Sequence, residues 1–151
     1  MKMKKIIVLC FVMTFFSGLK AQTFIGIDLV KLNKALSEQK ITGFTFDSVS
    51  AYNGIIGSYK STGGDEMVIA FDSLKLFKEI PKEMKGKIIT FKKNKTNLIF
   101  FENDYIMALY IELTDFKITM SLTSSFTSRE ILEKVYSEIN PEELLKKALV
   151  K

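Results

Sequence analysis

The side chains able to do chemistry are few, and their spacing narrows the reactions open to this chain. It carries no histidine and a single cysteine, Cys10. The commonest general base, the usual zinc ligand and every serine–histidine or cysteine–histidine nucleophile are therefore missing. Ser37-Glu38-Gln39-Lys40 has the Ser-x-x-Lys spacing in which a lysine amine accepts the serine proton. It falls at the end of a short helical pattern, where a solvated helix end is the plainer reading. Asp65 and Glu66 follow Gly63-Gly64 and are the first candidates for a carboxylate pair, either for glycoside hydrolysis or as one side of a Ca²⁺ site. Adjacent strand residues point to opposite faces, so a polar hairpin tip competes with that role.

Other motifs say less. Gly63-Gly64 is the only glycine pair, and neither Gly-Lys-Ser/Thr nor Gly-x-Gly-x-x-Gly occurs, which argues against nucleotide binding by those loops. Asn94-Lys95-Thr96 is an N-glycosylation acceptor on a eukaryotic secretory route. The run Lys92-Lys93-Asn94-Lys95 is a basic turn that would touch an anionic polymer or simply keep the turn solvated and blunt a sheet edge. Tyr52 and Tyr59 flank the irregular Asn53-Gly54 region and are the favoured exposed contact residues for a ligand. No metal-ligand set and no cofactor motif is expected.

The N-terminus sets the compartment. Lys2, Lys4 and Lys5 precede an apolar run over residues 6–16, followed by Ser17-Gly18-Leu19-Lys20-Ala21-Gln22. This is the order of a secretory signal peptide, and the run is too short for a bilayer, which takes about 20 apolar residues. Cleavage is expected between Ala21 and Gln22, dividing the chain into a signal peptide over 1–21 and one domain over 22–151. Cys10 lies inside the apolar run behind Leu9, so it is not a lipidation site. The mature chain then has no thiol. Lys2, Lys4, Lys5 and Lys20 leave with the signal, so the formal charge falls from +5 to +1. That near-neutral balance gives no support to a nucleic-acid partner or an anionic membrane surface.

The remaining elements must position whatever site exists. Asp28 caps an apolar stripe at Leu29, Leu32, Ala35 and Leu36, predicting a helix over residues 29–37. Residues 41–46, 55–59 and 67–71 read as strands, the last two as a hairpin. Asp72-Ser73-Leu74 opens a short helix that Pro81 should stop. Residues 87–92, 96–102, 105–113 and 116–122 predict a four-strand antiparallel meander, with Asn103-Asp104 as a two-residue turn. Phe44, Phe46, Phe71, Phe91, Phe100 and Phe101 fall in strands and are expected core residues. The last strand alternates and should have one wet face, whereas 98–101 and 106–111 are apolar on both faces and need a cover on each. Two helices close the chain, announced by Thr127-Ser128-Arg129-Glu130 and by Asn140-Pro141-Glu142-Glu143. Their stripes are Ile131, Leu132, Val135 and Ile139, then Leu144, Leu145, Ala148 and Leu149.

The expected fold is α+β: an antiparallel sheet with a C-terminal four-strand meander, packed against an N-terminal helix and two C-terminal helices. The expected function is an exported binding or interaction module without catalytic activity, secreted or periplasmic and without a stable membrane anchor after cleavage. Its partner would be a protein or an apolar small molecule, and its oligomeric state stays open. Two alternatives stand beside it: a carrier of an apolar ligand, and an Asp/Glu-dependent hydrolase of envelope glycan.

Overall fold

In the computed structural model, residues 26–51, 54–125 and 127–149 are described. Among these described residues four helices, α1 (Leu29–Ser37), α2 (Leu74–Glu83), α3 (Arg129–Glu138) and α4 (Pro141–Ala148), pack against seven strands. The strands are β1 (Phe44–Ser50), β2 (Ile55–Ser61), β3 (Glu66–Ser73), β4 (Lys87–Lys93), β5 (Thr96–Glu102), β6 (Met107–Leu113) and β7 (Ile118–Ser124). They form one antiparallel sheet in the order β1-β2-β3-β7-β6-β5-β4. This is the expected α+β fold with its C-terminal meander. The chain runs β1 to β3, crosses by way of α2 to the far edge, and returns so that β7 pairs with β3.

Strand alternation sorts the side chains onto two faces. One face carries Tyr59, Met67, Ile69, Phe71, Leu98, Phe100, Leu109, Ile111, Met120 and Leu122, and it packs against α1, α3 and α4 in one core. Each Leu or Ile buried there contributes about 1.5–3 kcal/mol relative to exposure. On the other face α2 sets Phe77 and Ile80 against Ile99, Phe101, Ala108 and Tyr110. The two-sided apolar character of β5 and β6 is thus met by a helix of the same chain. Ile56, Val68 and Ala70 make a third, smaller cluster on that second face.

Several local expectations are corrected. β7 is buried along its whole length rather than wet on one face, because it sits between β3 and β6 in the middle of the sheet. Phe44, Phe46 and Phe91 are only partly buried, because they lie on the two edge strands. Pro81 lies inside α2 instead of ending it. The proline forgoes one bond to the Phe77 carbonyl, yet the helix carries on to Glu83 and closes with Met84 N–H donating to the Ile80 carbonyl at 3.1 Å. The two-residue turn is at Asn94-Lys95, both with positive φ (50° and 68°), not at Asn103-Asp104. Asn103 instead heads a four-residue loop, its Oδ1 accepting from Tyr105 and Ile106 N–H. The first strand starts at Phe44, three residues later than its apolar pattern, after Gly43 turns the chain with φ 86°. The N-cap of α3 is Ser128, whose Oγ accepts from Ile131 N–H. Ile131 is 43% exposed, so the buried stripe begins at Leu132.

Candidate binding surfaces

Of the predicted contact and cleavage residues, Tyr59 is the one that falls among the described residues. Tyr59 is completely buried rather than exposed: its hydroxyl donates to the Leu36 carbonyl at 2.7 Å, and its ring meets Phe46 edge-on with centroids 5.4 Å apart. Burial pushes its pKa far above the usual phenol range. It faces α1 because β2 alternates, and Gly57 beside it lets the helix close in. A Cβ at Gly57 would lie 2.6 Å from a Leu36 methyl. Tyr52 lies outside the described residues, as do Ala21 and Gln22. Among the described residues the tyrosine most exposed to solvent is Tyr105, in the β5–β6 loop.

The other motifs are largely occupied by local structure. Ser37 Oγ donates to the Lys34 carbonyl at 2.8 Å, and the Gln39 amide donates to the Ala35 carbonyl, so Ser37-x-x-Lys40 finishes α1. Asp65 and Ser61 close the β2–β3 hairpin through three contacts, Ser61 N–H to Asp65 carbonyl, Asp65 N–H to Ser61 Oγ, and Ser61 Oγ with Asp65 Oδ2. Glu66 is the first residue of β3 and stands outside that turn.

Sequence reasoning missed a row of polar residues across the second face. Register aligns Asp72 of β3 with Thr119 of β7, Thr119 with Glu112 of β6, and Asn97 of β5 with Lys92 of β4. Asn97 Nδ2 donates to Glu112 Oε2 at 2.5 Å, which joins the two halves of the row. Asp72 Oδ1 accepts from Ser73 N–H, so it does not cap α2. Burial raises the Asp72 carboxyl, the Ser73 hydrogen bonds oppose that rise, and the Glu79 charge on α2 adds to it. Glu79 is itself ion-paired with Lys75 at 3.1 Å. Asp72 and Glu112 are two strand spacings apart, roughly 10 Å between Cα atoms. No local motif reveals this row, because only the pairing order brings its members together.

Two open clefts border the sheet. One, about 500 Å³, lies where α1 runs into β1 and is lined by Ser37, Gln39, Lys40, Thr42, Phe44 and Phe46 among others. Thr42 is held there by Glu138 of α3, which accepts from both its N–H (2.8 Å) and its hydroxyl (2.7 Å). The second, about 290 Å³, lies at the β4–β5 turn and includes Asn94, Asn97, Glu112, Asp115 and Glu142. On the first face, on the opposite side of the sheet from α2, Arg129 of α3 covers the Phe91 and Phe100 rings at 4.5 and 5.7 Å while pairing with Glu133 at 2.6 Å.

Among the described residues there is no group of three or more metal-ligating side chains, and no helix is long and apolar enough to cross a membrane. No family model, curated protein or solved structure matches this chain.

Proposed function

We propose that the chain is exported through its cleaved N-terminal signal and that the mature domain is a binding module that works without catalysis. The observation that carries this reading is the cleft between α1 and β1. It combines two half-buried aromatic rings, Phe44 and Phe46, with the amide of Gln39, the hydroxyl of Thr42 and the ammonium of Lys40. An aromatic floor with a few polar groups at its rim is the usual make-up of a recognition site. The Thr42–Glu138 bonds hold its rim to α3, so the cleft is pre-shaped for a ligand. The test is a mature chain carrying Phe44→Ala, which removes one of the two rings of the cleft at a half-buried position of the edge strand β1. Binding to its partner from the host's exported fraction should fall at least about tenfold, and unchanged binding would remove the cleft from the account.

A hydrolase is the second reading. Its better carboxylate is Asp72, with its raised pKa beside Glu79, rather than Asp65 or Glu66. Asp72→Asn should abolish any turnover if that reading holds.

A further inference from the structure

Among the described residues the sheet ends in two unpaired edges, β1 and β4, and they differ. β1 is broken by a register shift between Phe46 and Ser48, and its Asp47 is ion-paired with Lys60 at 3.0 Å. A bulge of this kind twists an edge away from further pairing. β4 pairs with β5 without interruption from Lys87 to Lys93, and among the described residues no strand lies on its outer side. The Asn94-Lys95 turn makes Lys93 and Thr96 a hydrogen-bonded pair, and alternation from that pair turns the backbone groups of Ile88, Thr90 and Lys92 outward.

Side chains flank those groups on both sides. Ile89 and Phe91 lie half-buried on the first face, and Ile88 lies half-buried on the second. Residues 85–95 hold five lysines and no acidic residue, with Lys87 paired to Glu102 at 3.4 Å. Lys93 Nζ stands over the Tyr136 ring at 5.8 Å, and the Arg129 guanidinium covers Phe91. An antiparallel second copy in full overlap, centred on Thr90, would set Lys87 against Lys93 of its mate, and like charges directly opposite are destabilising. The charge favours an acidic occupant instead.

We propose that β4 accepts an extended acidic segment of another polypeptide as an eighth strand, bonded through the outward groups of Ile88, Thr90 and Lys92. Apolar side chains at alternate positions of that segment lie beside Ile89 and Phe91 on the first face, and the carboxylates between them fall on the second face beside Lys92, in the positive field of the five lysines of residues 85–95. This inference rests on the reading of the chain as a binding module and names a surface and a partner chemistry for it.

The test uses the mature chain, residues 22–151, labelled with ¹⁵N and titrated with a short synthetic peptide alternating valine and glutamate. The amides of Ile88, Thr90 and Lys92 should shift and gain protection from hydrogen exchange. The lysine-for-glutamate peptide should bind at least about tenfold more weakly. Thr90→Pro removes an outward N–H while sparing the bonds to β5, so it should cost about tenfold or more in affinity with the Ile89 and Phe91 amides still protected. Silence at the three outward amides, equal affinity for both peptides, or full binding by Thr90→Pro overturns the proposal. So does protection of the same amides by self-association without peptide. A response confined to residues 37–46 also overturns it, while leaving the binding-module reading intact.

Discussion

The Tyr59 hydroxyl donates to the Leu36 carbonyl at 2.7 Å and so ties β2 to the last turn of α1. Leu36 also accepts from Gln39 N–H at 3.1 Å, so its carbonyl keeps one partner if the phenol is lost. Tyr59→Phe should therefore cost about 1 kcal/mol, the ordinary net worth of one hydrogen bond, with the fold unchanged. Gly57→Ala at the same contact should cost about 1–3 kcal/mol through overpacking against Leu36. Urea unfolding of the two variants measures both.

α3 supplies a second contrast within one helix. Leu132 and Val135 are buried to 0% and 2% exposure, whereas Ile131 is 43% exposed. Leu132→Ala and Val135→Ala should each destabilise the domain by about 2 kcal/mol or more through lost burial and a residual cavity. Ile131→Ala should stay within about 0.5 kcal/mol of wild type, as an exposed substitution does. Equal losses at all three positions would mean that α3 is rotated from the docking described.

Much of this architecture was legible in the sequence because caps, turns and periodicity are local. Asp28, Asn140 with Pro141, and the stripe from Leu32 to Leu36 gave the helices nearly to the residue. What stayed hidden depends on strand order. The polar residues Thr119 and Ser121 read as a wet face, and only the pairing of β7 between β3 and β6 explains why both are buried. Tyr59 is hidden for a similar reason: it follows the irregular Asn53-Gly54 region in sequence, but alternation along β2 turns it towards α1, which closes in at Gly57 on the same face. Asp72-Ser73-Leu74 reads in sequence as the opening of a helix, and the alignment of Asp72 through Thr119 with Glu112 exists only in the assembled sheet.

Asp72 makes stability depend on pH in one direction. Its folded pKa is raised above 3.8 by burial first, opposed by Ser73 and assisted by Glu79. As pH rises through the ordinary carboxylate range the unfolded chain ionises before the folded one, so the fold loses stability, and the loss persists above the folded pKa. Asp72→Asn should raise the melting temperature at neutral pH and leave it unchanged well below the carboxylate range. Thermal unfolding at the two conditions checks the sign.

Glu138 acts oppositely. The Thr42 hydroxyl and then its backbone N–H hold the carboxyl below its ordinary value, with Lys134 adding a smaller attraction. Its stabilising contribution is present above the usual carboxylate range and is lost as pH falls through the lowered folded pKa. Wild type should therefore lose more stability on acidification than Glu138→Gln. Hydrogen exchange at the Thr42 amide should rise in the variant at neutral pH.

The most direct test of binding without catalysis is hydrogen–deuterium exchange of the mature chain, alone and with the exported fraction of its own host. Protection is expected over residues 37–46 or at Ile88, Thr90 and Lys92, equal in wild type and Asp72→Asn, with no small product released. Protection centred on Asp72, Glu79 and Thr119, with a product that forms in wild type and vanishes in Asp72→Asn, would contradict it.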